Sequence, residues 1–279
     1  MTFPSAGRLV LGQIRYQLLM FWRTPVALFF TIVLPLVMLL LFNSLFGDAT
    51  VTVEGGQEWS VRQFYTGGLA VFTAVSATYT NLANMVPIRR EEGVMKRWRG
   101  TPLSTGVYIG GFVGSALVLA LLGTVLMLGI GFLFYDLEVD PAKMPAAALT
   151  FVVGVSAFAA LGMMVAALVP TAASAGAVAN ATILPLAFVS NVFIVTGEDA
   201  PAWMTTIGNF FPLRPFVESF QDAFNPFVDA PAMSWGRMAY VALWGAVGLF
   251  VAVKWFRWEP QPGGTTRRRR SARQAAESA

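Results

Sequence analysis

Residues 88–108 read IRREEGVMKRWRGTPLSTGVY and form the most charged internal stretch of an apolar chain. Two uncharged runs, 63–87 and 101–135, flank it. Each exceeds the roughly 20 residues that a helix needs to cross a bilayer. The stretch is therefore predicted to be a polar loop between two spanning helices. Five bases (Arg89, Arg90, Lys96, Arg97, Arg99) outnumber two acids, Glu91 and Glu92, an imbalance that belongs on the cytoplasmic side. Val94, Met95 and Trp98 give a short helix one apolar edge, and Gly100, Thr101 and Pro102 end it. A short amphipathic helix held below the membrane is a shape that another protein can grip. The simpler alternative is an ordinary basic loop.

Glu91-Glu92-Gly93, followed by Arg99-Gly100-Thr101-Pro102-Leu103-Ser104, resembles the loop after the second span of type-2 ATP-binding-cassette (ABC) permeases. The span order over about residues 5 to 258 extends the resemblance. It implies an all-α polytopic membrane protein with six transmembrane helices and an N-terminal interfacial amphipathic helix. A cytoplasmic coupling helix would lie between spans 2 and 3, and external amphipathic or re-entrant helices between spans 5 and 6. The loop would dock on a separate ATPase subunit through Glu91, Glu92, Gly93, Met95, Trp98, Arg99, Thr101 and Pro102. Met95 and Trp98 would fill the partner's groove, with Glu92 steering a basic residue. ATP and Mg would be bound by that partner, with no cofactor in this chain. The resemblance is to drug-resistance, antibiotic-resistance or lipid-export permeases, and it implies a homodimer with two ATPase copies.

Composition agrees with a membrane class. Of 279 residues, 56% are hydrophobic and 12% charged, about half the charge of a soluble domain. The mean hydropathy is +0.63. Cysteine and histidine are absent, which excludes disulfides, thiolate chemistry and the usual acid–base group near neutral pH.

Along the chain, residues 1–24 are read as a cytoplasmic interfacial helix. Arg8, Arg15 and Arg23 lie on one face, toward anionic lipid, with Leu9, Ile14, Leu18 and Phe21 away from it. It is not read as a cleavable signal, because the apolar run that follows is too long. Residues 25–258 are read as the six-span domain, with spans near 25–46, 64–87, 108–135, 146–168, 172–195 and 237–258. Pro35 is placed to kink the first span. TVTVEGG in the first external loop is either a short strand or a plain loop. The second span carries Thr73, Ser76, Thr80, Asn81 and Asn84, which serve either helix–helix hydrogen bonds or a transport path. Gly110, Gly111, Gly114 and Ser115 open the third span and suit close packing.

Asp136, Glu138 and Asp140 read as a solvated acidic turn, since their spacing fits no metal loop. Residues 144–197 carry no charge and must fold back at Val169-Pro170-Thr171. The segment 198–235 is external. There Phe216, Phe220 and Phe224 repeat every four residues, giving a helix at or dipping into the outer leaflet. Residues 259–279 are read as a disordered basic cytoplasmic tail lying on anionic lipid, with no nucleic-acid role. With both termini inside, fifteen Lys and Arg fall on the cytoplasmic side and four outside (62, 143, 214 and 237), which favours this orientation.

No Gly-Lys-Ser/Thr phosphate loop, nucleophile elbow or zinc-ligand set is present, so the chain is not expected to be an enzyme by itself. The expected span interiors hold no Asp, Glu, Lys or Arg, which disfavours an ion-coupled secondary carrier. A non-transport membrane scaffold is the other alternative. The expected function is export of a hydrophobic or amphipathic molecule, a drug, antibiotic or lipid, across a bacterial cell membrane. Its path would be lined by Phe29, Phe30, Asn84, Asn180, Phe188 and Asn191, an apolar wall with a few amides. The aromatic helix at Phe216, Phe220 and Phe224 would roof the exit.

Overall fold

The computed structural model describes residues 5–47, 49–53, 57–95, 105–195 and 200–256. Helix α1, Ala6–Trp22, lies along α4, Thr105–Phe134. Gln13 and Ile14 press on Gly111 and Gly114, where a methyl group would collide. The glycines at the start of the third span thus seat the N-terminal helix. Arg8, Arg15 and Arg23 are exposed, while Phe21 is buried.

Helix α2, Pro25–Phe46, starts on a proline, whose missing N–H costs nothing at the first helical position. Its second turn, Phe29–Val33, is π-helical, and Pro35 follows directly. The TVTV alternation forms a strand. Thr50–Val53 pairs antiparallel with Gln57–Ser60, with Val51 opposite Trp59. The buried Trp59 indole donates to Gln63 Oε1 (2.8 Å), and Gln63 Nε2 donates to Asp136 O (3.0 Å).

Val61–Val75, the π-helical Ser76–Thr80 and Asn81–Glu91 run on as one rod, α3 (61–91). It is the axis of the molecule. Every residue from 63 to 79 is buried, with α2, α4 and the helix at Met144–Leu168 around it. The position explains its composition. Thr66, Thr73 and Thr78 turn their hydroxyls onto the carbonyls of Arg62, Leu69 and Ala74, at 2.7, 2.8 and 2.8 Å. The methyl groups of Thr66 and Thr73 then fill the gaps over Gly131 and Gly123 of α4.

Helix α5, Met144–Leu168, packs along α9, Trp235–Trp255, with Gly245 against Ala157 and Gly248 against Leu161. Between them come α6, Ala172–Val189, and two short helices, α7, Ala202–Phe210, and α8, Leu213–Gln221. Helix α6 ends six residues before the expected limit of the fifth span, because Asn191 takes a left-handed φ of 58°.

Among the described residues, five helices are long and apolar enough to cross a membrane: Pro25–Phe46, Gly106–Phe134, Met144–Leu168, Ala172–Val189 and Trp235–Trp255. Helix α3 has the length but not the apolarity, as befits a rod that touches protein on all sides.

Candidate functional site

At the C-terminal end of α3 the chain places charge inside the protein. Arg90 is 2% exposed. Its Nη1 donates to Ala166 O (3.2 Å), and its Nη2 to Val169 O (2.6 Å) and Pro170 O (3.2 Å). These are the last carbonyls of α5 and the turn after it, which a helix leaves without donors of its own. The next residue does the converse. Glu91 Oε1 accepts from Ala172 N (2.7 Å), the first N–H of α6. Opposite charges from one helical turn therefore meet opposite ends of two helix dipoles. Glu92 pairs with Arg89 at 3.0 Å, and Gly93 turns the chain at φ 70°, a conformation natural to glycine.

Met95 then returns to the interior. It is 1% exposed and belongs to a cluster with Leu82, Val86, Tyr108, Phe112 and Met163. The Met95 side chain thus faces this chain's own core. Trp98, Arg99, Thr101 and Pro102 lie outside the described residues.

The expected path residues divide. Phe29 and Phe30 are exposed on α2, edge to face at 5.4 Å. Asn180 and Phe188 are exposed on α6, and Asn84 is half-buried between α3 and α6. The Asn84 amide donates to Thr80 O (2.7 Å), with Oδ1 against Gly176, and that of Asn180 donates to Gly176 O (3.0 Å). The Phe188 ring is linked to α2 through Phe193, 5.2 Å from Phe188 and 6.5 Å from Phe42. Asn191 stands apart. It is buried, donates to Glu218 Oε1 (3.1 Å), and borders a different cavity.

That cavity, about 860 Å³, opens at the hairpin end between α8, α9 and the strands. Arg214 Nε meets Glu218 Oε1 at 2.6 Å, and Arg237 bridges Glu218 (3.4 Å) and Asp222 (2.6 Å) on its rim. The sequence reading had placed these charges only as external loop residues, and nothing local in the sequence marked them as a network.

Phe216, Phe220 and Phe224 are 1–3% exposed and point into the bundle. Phe216 covers Gly154, where any side chain would strike its ring, and stacks on Phe158 at 5.9 Å.

A helical bundle organised round a buried, polar central helix, with five helices among the described residues long and apolar enough to cross a membrane, is the architecture of a multi-pass membrane protein. The chain belongs to the ABC-2 type transporter family, whose model matches residues 10–225. It is also similar to the inner membrane transport permease YadH of Escherichia coli K12, 22% identical over 205 residues, covering 73% of this chain and 79% of that protein. The same figures hold for YadH of Escherichia coli O157:H7 and of Shigella flexneri.

Proposed function

We propose that this chain is the membrane subunit of an ABC exporter. It works as a pair of copies with two copies of a separate ATPase, which binds ATP and Mg. The observation that carries the reading is the family match over residues 10–225, a range that includes the loop at 88–104. Helix α3 is the second of six spans, its polarity explained by its central place. Both termini lie on the cytoplasmic side of a bacterial cell membrane, where the charge balance puts them. Pairing of two copies is supported by α2 and α6. Phe29, Phe30, Leu41 and Leu45 on one and Val178, Leu184 and Phe188 on the other are exposed apolar side chains.

The cargo is a hydrophobic or amphipathic molecule. Phe29, Phe30, Asn84, Asn180 and Phe188 lie on or beside those same faces and offer aromatic surface, two amides and no fixed charge. That wall suits a drug or lipid and leaves a strongly ionic solute unpaired. The test is reconstitution of the chain with its ATPase in proteoliposomes carrying a bisbenzimide dye or a fluorescent phospholipid. ATP-dependent movement of either probe, and co-purification of the ATPase, are expected. Transport driven by a proton gradient without ATP would overturn the reading.

A further inference from the structure

The bracket made by Arg90 and Glu91 has a mechanical meaning that goes beyond stability. We propose that these two residues are positioning residues for transport. They make the turn at 169–171, and with it the adjoining ends of α5 and α6, move as one body with the base of the charged loop. This rests on the permease reading above.

The argument begins with what each side chain touches. Arg90 holds three carbonyls from three residues, 166, 169 and 170, with one planar guanidinium. A planar fork fixes direction as well as distance, which a single ammonium cannot do. Glu91 holds the first N–H of α6 at 2.7 Å. Neither contact is to another charged side chain. Both are to backbone at helix ends, so neither partner can swing away by changing rotamer. Moving the end of α3 relative to the turn would break all four bonds together.

The opposite side of the bracket is held more lightly by charge and more firmly by packing. Glu92 is tied to Arg89, and Met95 is buried beneath. The four residues after Glu91 therefore start from a fixed point on the 169–171 turn. The turn has its own cap as well, since Thr171 Oγ1 accepts from Ser174 N at 3.2 Å. Any push on the loop base reaches α5 and α6 through two adjacent residues. Nearer the membrane centre, α3 and α6 stay in touch through the 2.7 Å hydrogen bond between Tyr79 and Thr182.

The chain has no native cysteine, so labels can be placed without background. Spin labels at Val94→Cys and Ala173→Cys report the distance between loop base and α6 in the purified chain. A narrow distance distribution is expected, unchanged when the reconstituted complex is trapped with ATP and vanadate. With Glu91→Ala or Arg90→Lys added, the distribution should broaden and shift on trapping. In the unlabelled complex, Glu91→Gln and Arg90→Lys should lower dye moved per ATP hydrolysed at least about fivefold, the lower range of coupling between linked sites. ATPase association and thermal midpoint should hold. Equal loss of transport and hydrolysis, or no loss of either, would show a staple without a coupling role. A parent chain that binds no ATPase would overturn the permease reading and the coupling role with it. In that case the labels would still show whether the pair holds the turn.

Discussion

The two ends of the bundle hold their charges in different ways. At the loop end, the buried Arg90 and the exposed Glu91 bond backbone groups of α5, the turn and α6. At the hairpin end, Arg214, Glu218, Asp222 and Arg237 bond mainly one another. Backbone partners are fixed by the helices that carry them. Side-chain partners are held by rotamers and can be exchanged. The first arrangement suits transmission of movement, whereas the second suits the adaptable rim of a cavity.

Three substitutions test the contrast, in falling order of effect. Arg90→Ala leaves three carbonyls, that of Ala166 buried and those of Val169 and Pro170 part-buried, without their donor. A buried acceptor left unsatisfied costs about 1–3 kcal/mol, so with three affected the purified chain should show the largest fall in thermal midpoint of the three. A fall no larger than that of a surface variant would mean that water replaces the guanidinium, and that the loop end is no more rigid than the other.

Glu218→Ala removes the acceptor shared by Arg214, Arg237 and Asn191. Charge-assisted hydrogen bonds of this kind are worth about 1.5–3 kcal/mol, discounted here because Glu218 and Arg237 are 25% and 39% exposed. The expected loss is about 1–2 kcal/mol and should shrink as salt is raised, unlike the Arg90→Ala loss. Denaturation in low and high salt checks this, and equal salt dependence at both ends would erase the distinction.

Asn180→Leu should be nearly silent in stability, within about 0.5 kcal/mol, because its amide is exposed and bonded only within α6. Its effect should appear in the choice of cargo, measured as the ratio of dye to phospholipid transport. An unchanged ratio would remove Asn180 from the path.

Much of the fold was legible because bilayer length and charge asymmetry are coarse constraints that act on whole segments. The turn at Val169-Pro170-Thr171 and the glycines of α4 were readable for the same reason. What the sequence hid was direction. Phe216, Phe220 and Phe224 have a helical period, but lipid and protein interior are both apolar, so the period cannot say which one the stripe faces. The same ambiguity applies to Met95. Arg90 was hidden among five bases of one loop, and only the folded turn some eighty residues later singles it out. The available signal was its place at the end of an apolar run, next to a chain that must supply donors for a helix ending before Pro170.

The buried polarity of α3 also bears on how the protein is made. A segment carrying Gln63, Thr66, Thr73, Ser76, Thr78 and Asn81 gains little by partitioning into lipid alone. The hydroxyl groups of Thr66, Thr73 and Thr78 are quiet because its own backbone absorbs them, and the methyl groups of Thr66 and Thr73 find their places only over the glycines of α4. On the proposed reading of α3 as the second span, it enters the bilayer in the company of the helices around it, α2, α4 and α5. Synthesis as far as residue 168, the end of α5, then marks the earliest point at which the protein's centre is at home in the membrane.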